Sequence, residues 1–251
     1  MQFDEYINQT VFITGAASGI GQAQAIAFLE SGANVIGYDI DKDGLNKLFV
    51  KYPHHFYYVV GSVSDPKSIN KAVKDTISQY KKIDILLNTA GVLDDFKKTL
   101  DTDEDLWDKV MNTNIKGTYL VTNCILPYML EQNHGVIINM ASIAGFIGGG
   151  GGAAYTSSKH AIIGYTKQLD LDYARLGIRA NAIAPGAIKT PMNANDFKGS
   201  GEIANWVKEE TPANRWADPK EVADLTLYLA SRFASYIHGT VIPIDGGWLT
   251  K

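Results

Sequence analysis

Residues 10–39 read TVFITGAASGIGQAQAIAFLESGANVIGYD and contain an apolar run, a glycine-rich turn, a helical stretch and a second apolar run. The apolar runs, Thr10–Thr14 and Asn34–Asp39, are typical of strands that are buried on both faces. Residues 19–31, between the two runs, are predicted to form a helix. The stretch therefore predicts a strand–helix–strand unit with two parallel strands.

The same alternation continues to the end of the chain. Further strands are predicted at residues 56–60, 83–87, 136–140, 179–183 and 241–244. Further helices are predicted from Pro66 onward, at 103–130 with a bend near Pro127, at 153–176 and at 219–232. Asp65 and Asp218 each precede a proline and are suited to cap the helices that begin there.

Apolar strands that alternate with helices are typical of a parallel sheet with helices on both faces. Right-handed crossovers give such a chain a doubly wound sheet, and ligands bind outside the carboxyl ends of its strands. We therefore expect an α/β fold with about seven strands, in one Rossmann-like domain over residues 1–251.

Composition excludes several classes of protein. The chain has 251 residues, 45% of them hydrophobic, and a formal net charge of −4. A general nucleic-acid binder would need a clustered basic excess, so no nucleic-acid partner is expected. Cys124 is the only cysteine, which excludes an intrachain disulfide and predicts a reducing, cytoplasmic location. No secretory or membrane-spanning segment is predicted, and the five histidines are too scattered to indicate a metal site.

The turn at residues 14–21, TGAASGIG, has three glycines in the spacing GxxxGxG. Glycines permit a tight turn and let backbone N–H groups approach a pyrophosphate at the N-terminus of the next helix. A tight strand-to-helix connection would also use glycines. The strand–helix–strand context favours dinucleotide binding.

Asp39 ends the second predicted strand, 24 residues after Gly15. A carboxylate at this position can accept hydrogen bonds from both hydroxyls of an adenosine ribose, and it repels a 2′-phosphate. The alternatives are a solvated aspartate or the cap of the next helix, for which Asp41 and Asp43 compete. Together with the glycine turn, Asp39 predicts NAD(H) rather than NADP(H).

Tyr155 and Lys159 are four residues apart near the start of a predicted helix, so both lie on one face of it. Ser142 follows the strand predicted at 136–140. Hydride transfer to a carbonyl leaves an alkoxide that needs a proton, which a phenol can supply. A phenol has a pKa near 10, and a nearby ammonium and a cationic nicotinamide would lower it. A serine hydroxyl can hold the reacting oxygen.

The sequence resembles the classical short-chain dehydrogenase/reductase family over essentially its whole length. The matching stretches are TGAASGIG at 14–21, NTAG at 88–91, NTNIKG at 112–117, Ser142, YTSSK at 155–159, PGAIKTP at 185–191 and GTVIPIDGGW at 239–248. The resemblance implies that Tyr155 is the catalytic acid/base, that Lys159 binds the nicotinamide ribose and lowers the tyrosine pKa, that Ser142 orients the substrate oxygen, and that Asn114 holds a water in a proton relay.

The resemblance also implies a set of cofactor contacts along the carboxyl edge of the sheet. Besides Tyr155 and Lys159, they are Gly15, Ser18, Gly19, Ile20, Gly21, Asp39, Ile40, Ser62, Val63, Asn88, Ala90, Gly91, Pro185, Gly186, Ile188 and Thr190. Two positions depart from the family pattern. Thr89 stands where a second asparagine is usual, which predicts a looser structural hydrogen bond. Ser62 replaces a frequent aspartate, so adenine contacts are expected from serine or backbone.

Residues 190–211 follow the sixth predicted strand and are expected to form a substrate lid over the active-site edge, although an ordinary surface insertion would have the same position. The predicted pocket residues Leu93, Ile143, Phe146 and the glycines at 148–152 are apolar or small. They favour a bulky or uncharged substrate over a phosphorylated one.

Three functions remain open. The leading hypothesis is an NAD(H)-dependent oxidoreductase that interconverts a secondary alcohol and a ketone. The enzymatic alternative is a 3-oxoacyl-(acyl-carrier-protein) reductase, against which Asp39 and the net charge of −4 argue. The non-enzymatic alternative is a dinucleotide-binding sensor on the same fold, which often lacks the Tyr or Lys. By resemblance we expect a homotetramer with interfaces around 103–130, 153–176 and the C-terminal segment.

Overall fold

The structure is a computed structural model that describes residues 4–251, so the first three residues of the predicted domain lie outside the described part. Its strands are β1 Thr10–Thr14, β2 Asn34–Asp39, β3 Phe56–Val60, β4 Ile85–Asn88, β5 Gly135–Met140, β6 Ile178–Pro185 and β7 Val241–Ile244. Its α-helices are α1 Gly19–Glu30, α2 Lys42–Lys51, α3 Pro66–Tyr80, α4 Glu104–Met111, α5 Thr118–Glu131, α6 Ala153–Tyr173, α7 Glu202–Glu210 and α8 Pro219–Ala230.

The seven described strands form one parallel sheet in the order β3-β2-β1-β4-β5-β6-β7. The strand order reverses between β1 and β4, and this is the switch point where doubly wound sheets open a crevice. The predicted fold class and the count of seven strands are therefore confirmed.

The side chains of β1 alternate between two apolar cores. In β1, Val11 and Ile13 belong to the core on the face where α1 packs against α8, whereas Phe12 belongs to the core beneath α3 and α5. Both cores are closed to solvent, since all three side chains have no exposed surface. A sheet that is buried on both faces requires the continuous apolar runs seen in the sequence.

Helix caps fix where several helices begin. The Asp65 carboxylate accepts the Lys67 N–H at 2.9 Å, and Asp218 forms a capping box with Glu221. Asp41 caps α2 by accepting two N–H groups, so the cap alternative considered for Asp39 falls to Asp41 instead.

The helix predicted at 103–130 is divided by an irregular turn that the sequence analysis did not predict. Residues 112–117 form a turn of π-helix between α4 and α5, whereas Pro127 lies inside α5, which continues to Glu131. Gly117 lies within this turn, where a Cβ would approach Val63 Cγ2 to 2.6 Å. Gly117 therefore packs closely against the loop that follows β3, a contact between distant segments that local propensity does not reveal.

In the part of the chain that the structure describes, no helix combines the length and the apolar character needed to cross a membrane.

Candidate active site

A large cleft, with a volume of about 1270 Å³, follows the carboxyl edge of the sheet. Most of the residues that the sequence singles out line it. From that prediction, the lining contains Gly15, Ser18, Gly19, Ile20, Gly21, Asp39, Ile40, Ser62, Val63, Ala90, Gly91, Ser142, Tyr155, Lys159, Pro185, Gly186, Ile188 and Thr190. The fold thus brings together segments that lie up to 175 residues apart in the chain.

The glycine turn between β1 and α1 leaves no room for side chains. A Cβ on Gly15, whose φ is +71°, would lie 2.8 Å from Ala90 Cα, and a Cβ on Gly21 would lie 2.0 Å from the Gly15 carbonyl oxygen. Ser18 precedes α1 without a capping side-chain hydrogen bond. The free N–H groups and positive end of α1 therefore face the cleft, an arrangement that fits a pyrophosphate.

The Asp39 carboxylate is held at the end of β2 by two backbone groups. Its Oδ2 accepts the Ala17 N–H at 3.0 Å, and its Oδ1 accepts the Asp41 N–H at 2.9 Å. The carboxylate is therefore fixed beside the glycine turn, and its remaining lone pairs are available to hydroxyl donors.

Ser142, Tyr155 and Lys159 meet where β5 ends and α6 begins. The Ser142 hydroxyl oxygen accepts the Ala144 N–H at 3.1 Å in the short turn after β5 and also hydrogen-bonds the Tyr155 side chain. Lys159 Nζ donates to the carbonyl of Met140, the last residue of β5, at 2.7 Å and lies 5.4 Å from the centroid of the Tyr155 ring. These contacts tie the helix face to the strand end.

Burial dominates the protonation of this cluster. It raises the pKa of Tyr155 to about 12, although the hydrogen bond with Ser142 acts in the opposite direction. Burial lowers the pKa of the Lys159 ammonium from 10.5 to about 8. Without a bound nucleotide, Tyr155 is therefore a neutral phenol, the form that can donate a proton. The side chains of the site do not by themselves produce the lowered tyrosine pKa that the sequence analysis expected.

Two predicted site residues lie beneath the cleft rather than in its lining. The Asn88 amide is buried and donates to Thr122 Oγ1 at 3.0 Å and to Asn139 Oδ1 at 2.9 Å. Asn114 accepts the Val92 N–H at 2.8 Å and donates to Ser158 Oγ at 3.1 Å. Both side chains brace the cleft, and the proposed water-holding role of Asn114 stays a prediction.

A further buried residue, Asp94, was not singled out by the sequence. One oxygen of its carboxylate accepts the Gly152 N–H at 2.8 Å and the other accepts the Tyr155 N–H at 2.8 Å. Asp94 therefore holds the first turn of α6 in place across 61 residues of chain, and its charge raises the pKa of Tyr155. No local pattern marks such a cap, because the helix that it stabilises lies in a distant segment.

Comparison with known proteins agrees with this arrangement. A family profile described as enoyl-(acyl carrier protein) reductase matches residues 15–249. A 3-oxoacyl-(acyl-carrier-protein) reductase of Thermotoga maritima is 40% identical over 238 residues, which cover 94% of this chain and 95% of that protein. The chain belongs to the short-chain dehydrogenase/reductase family.

Solved structures of short-chain dehydrogenases/reductases superpose closely on this one. A levodione reductase has a TM-score of 0.92 at 33% identity, covering 96% of this chain and 98% of its own. A Beutenbergia cavernae protein assigned as an NAD(P)-dependent gluconate 5-dehydrogenase, with NADP bound at low occupancy, has a TM-score of 0.91 at 31% identity and 98% coverage of both chains. The family is one of oxidoreductases that use a nicotinamide dinucleotide.

The two departures from the short-chain dehydrogenase/reductase pattern are accommodated in the structure. The Thr89 hydroxyl donates to Gln24 Oε1 at 2.7 Å, and the Gln24 amide donates to Thr226 Oγ1 at 2.9 Å. Thr89 therefore bonds to α1, and the expectation of a looser structural hydrogen bond stays a prediction. The Ser62 hydroxyl accepts the Ser64 N–H at 3.1 Å, which fixes it at the cleft edge.

The segment predicted as a lid borders the cleft. It contains a 3-10 helical turn, Pro191–Phe197, and helix α7, and Met192, Ile203 and Trp206 from it line the cleft. Leu93, Ile143, Gly149 and Gly150 also line it, as expected. Phe146 does not: its side chain is exposed outside the lining.

The sequence did not identify several other residues of the lining. Among them are Asp95 and Phe96 after β4, Asp196 in the segment 190–211, and Trp216 and Trp248 beyond it. The aromatic side chains are the signal that could have found them, since large apolar residues in loops often line a ligand site. Among residues 4–251, no group of three or more His, Cys, Asp or Glu side chains is placed to hold a metal ion.

Proposed function

We propose that this short-chain dehydrogenase/reductase is an NAD(H)-dependent oxidoreductase that interconverts a secondary alcohol and a ketone. The observation that carries the proposal is the convergence of Ser142, Tyr155 and Lys159 beside the glycine turn. Carbonyl reduction requires a proton donor, a hydroxyl that binds the reacting oxygen and a cation. Tyr155, Ser142 and Lys159 supply these three groups at one end of a dinucleotide-sized cleft.

Each side chain has a distinct role in the proposed reaction. A bound nicotinamide would supply or accept the hydride. Tyr155 donates its phenolic proton to the substrate oxygen during reduction and accepts it during oxidation. The Ser142 hydroxyl holds that oxygen in place, and the Lys159 ammonium stabilises the tyrosinate that remains, since a cation nearby favours the charged phenolate.

Asp39 supports NAD(H) over NADP(H). Its carboxylate is fixed by two backbone N–H groups, so it cannot turn away from the ribose position without losing both bonds. A 2′-phosphate placed there would meet this fixed negative charge, whereas ribose hydroxyls would donate to it. A short-chain dehydrogenase/reductase with bound NADP exists among the solved structures, so the choice of cofactor is a property to be tested on this chain.

The relative from Thermotoga maritima favours a second candidate, the reduction of 3-oxoacyl groups on an acyl carrier protein. Such a carrier is acidic and needs cations near the entrance of the site. Asp95 and Asp196 line the cleft instead, so electrostatics favour a small free alcohol or ketone.

We further propose that one domain carries both cofactor and substrate, that residues 190–211 act as its lid, and that the enzyme works in the cytoplasm as a homotetramer. The lone Cys124 thiol supports a reducing compartment. Exposed apolar side chains on α4, α5 and α6, namely Trp107, Tyr119 and Leu171, support burial against other copies of the chain.

The test compares NADH and NADPH as donors for a panel of ketones, diketones, sugars and a 3-oxoacyl thioester, with the variant Tyr155→Phe in parallel. We expect turnover with NADH, at least a 1000-fold loss in Tyr155→Phe, and unchanged NADH binding by that variant. A preference for NADPH would overturn the role of Asp39. Turnover that survives in Tyr155→Phe would overturn the mechanism, and NADH binding without turnover on any carbonyl would favour a sensor.

A further inference from the structure

The part of the cleft beyond Tyr155, here called the substrate half, is walled by apolar side chains that remain exposed. Phe96, Met192, Ile203 and Trp206 all line it, and they are 50%, 45%, 57% and 56% exposed. Large apolar side chains that converge on one cavity while open to water indicate a site that is completed by an apolar ligand.

Strained backbone presents Phe96 and its neighbour Asp95 to the cleft. Asp95 has a φ of +53° and Phe96 a φ of +55°, both in the left-handed region. Two consecutive residues other than glycine are uncommon there, and a bulky aromatic residue is the more unusual of the two. The loop after β4 thus tolerates strain in the conformation that lines the cleft, as loops at ligand sites often do.

Helix α7 is held in place by aromatic contacts. Trp216 Nε1 donates to the Ala204 carbonyl at 2.9 Å, and the Trp206 ring packs edge-on against Trp248 with centroids 6.3 Å apart. Trp206 therefore presents a positioned apolar surface to the substrate half.

The charged side chains that line this surface are carboxylates. Asp95 and Asp196 line the substrate half, and burial raises the pKa of Asp196. The two lysines in the lining are elsewhere: Lys159 is the cofactor-side ammonium, and Lys109 lies with Asn112, whose carbonyl accepts the Ser64 hydroxyl near the adenosine end. Lys251 Nζ lies 4.2 Å from the centroid of the Trp248 ring and Lys189 Nζ lies 5.4 Å from that of Phe197, but neither lysine is part of the lining. An anionic substrate in the substrate half would therefore meet the two lining carboxylates directly.

We infer that the substrate is an uncharged ketone or alcohol with an apolar ring body that packs against Phe96 and Trp206, and that Asp95 and Asp196 discriminate against anions. This inference rests on the proposed function. It goes beyond it because it assigns the chemical class of the substrate and the four residues that select it.

A matched pair of ring ketones tests the inference: methyl 4-oxocyclohexanecarboxylate and the same compound as its free carboxylate. The two differ little in shape but by one charge. Binding of each is measured on the protein saturated with NAD⁺, and kcat/KM is measured with NADH. We expect the ester to bind at least tenfold more tightly and to be reduced with at least a tenfold higher kcat/KM.

Variants assign the selectivity to the named residues. Phe96→Ala and Trp206→Ala should each lower kcat/KM for the ester about tenfold and leave the NADH dissociation constant unchanged. The double variant Asp95→Asn/Asp196→Asn should raise the ratio of kcat/KM for the carboxylate to kcat/KM for the ester several-fold. Tyr236→Ala, which removes a fully exposed ring outside the cleft, serves as the control and should change neither.

The outcomes separate this inference from the proposed function. Absence of NADH binding by the wild-type protein would overturn the proposed function itself. Normal NADH binding with equal or better use of the carboxylate, or with neither ketone bound, would overturn only the inference. An unchanged ester kcat/KM in both alanine variants would overturn the roles of Phe96 and Trp206.

Discussion

Burial of the Lys159 ammonium in the site lowers the stability of the folded protein. Lys159 is 4% exposed, and burial lowers the pKa of its ammonium from 10.5 to about 8. Such a shift corresponds to about 3 kcal/mol of destabilisation at pH 7, because the folded protein binds this proton less tightly than the unfolded chain. The hydrogen bond to the Met140 carbonyl offsets part of it, about 1 kcal/mol.

We therefore predict that Lys159→Met abolishes turnover but stabilises the protein without nucleotide by about 1–2 kcal/mol at pH 7. Since the folded pKa is the lower one, the cost is complete below pH 8 and disappears as the pH rises toward 10.5. The advantage of the variant should thus shrink between pH 7 and pH 10. Urea unfolding at both pH values measures it, with the exposed Lys167→Met on the same helix as control. A less stable Lys159→Met at pH 7 would contradict the assigned cause.

Among the elements, the connection between β1 and α1 depends on close backbone approaches at its glycines. A Cβ at position 21 would lie 2.0 Å from the Gly15 carbonyl oxygen, so that Gly21→Ala must displace the turn that faces the pyrophosphate position. We predict at least a tenfold weaker affinity for NADH, measured by the fluorescence of the bound nucleotide. Gly148→Ala is the matched control, because its Cβ would meet nothing within 4 Å and its φ is not in the left-handed region. Equal affinity in both variants would refute a backbone cradle.

The π-helical turn at 112–117 lies where the sequence predicts regular α-helix. Asn114 lies in it and binds the Val92 backbone and Ser158, so the irregular turn connects the loop after β4 with α6. Turns of this kind are frequent at functional sites. Gly117 of this turn packs against Val63, whereas Pro127, where the sequence predicts a bend, lies inside α5.

Exposed apolar side chains on three helices predict that the protein associates with copies of itself. Trp107, Tyr119 and Leu171 are 38%, 49% and 76% exposed on α4, α5 and α6. We predict a tetramer of four 27.4 kDa chains, about 110 kDa, in sedimentation velocity at micromolar concentration. Leu171→Glu should shift the distribution toward smaller species, whereas a wild-type protein that sediments as a monomer would contradict the prediction.

The strands of the parallel sheet and most residues of the site could be predicted from the sequence alone. Buried parallel strands must be apolar throughout, so their positions are visible as runs, and the three glycines of the turn after β1 are visible as a local pattern. The pattern GxxxGxG, Asp39, and the Tyr155–Lys159 spacing are likewise local, and the structure places all of them on one cleft.

The contacts between groups that are distant in the chain, and the effect of these contacts on pKa values, are visible only in the folded structure. Asp94 caps α6 from 61 residues away, Thr89 bonds to Gln24 on α1, and Phe96, Trp206 and Trp248 line one cavity from three separate segments. The pKa values of Tyr155 and Lys159 also belong to this level, because desolvation depends on every atom packed around a group and not on its neighbours in sequence. Local spacing specifies elements, whereas burial, charge and contact are properties of the assembled fold.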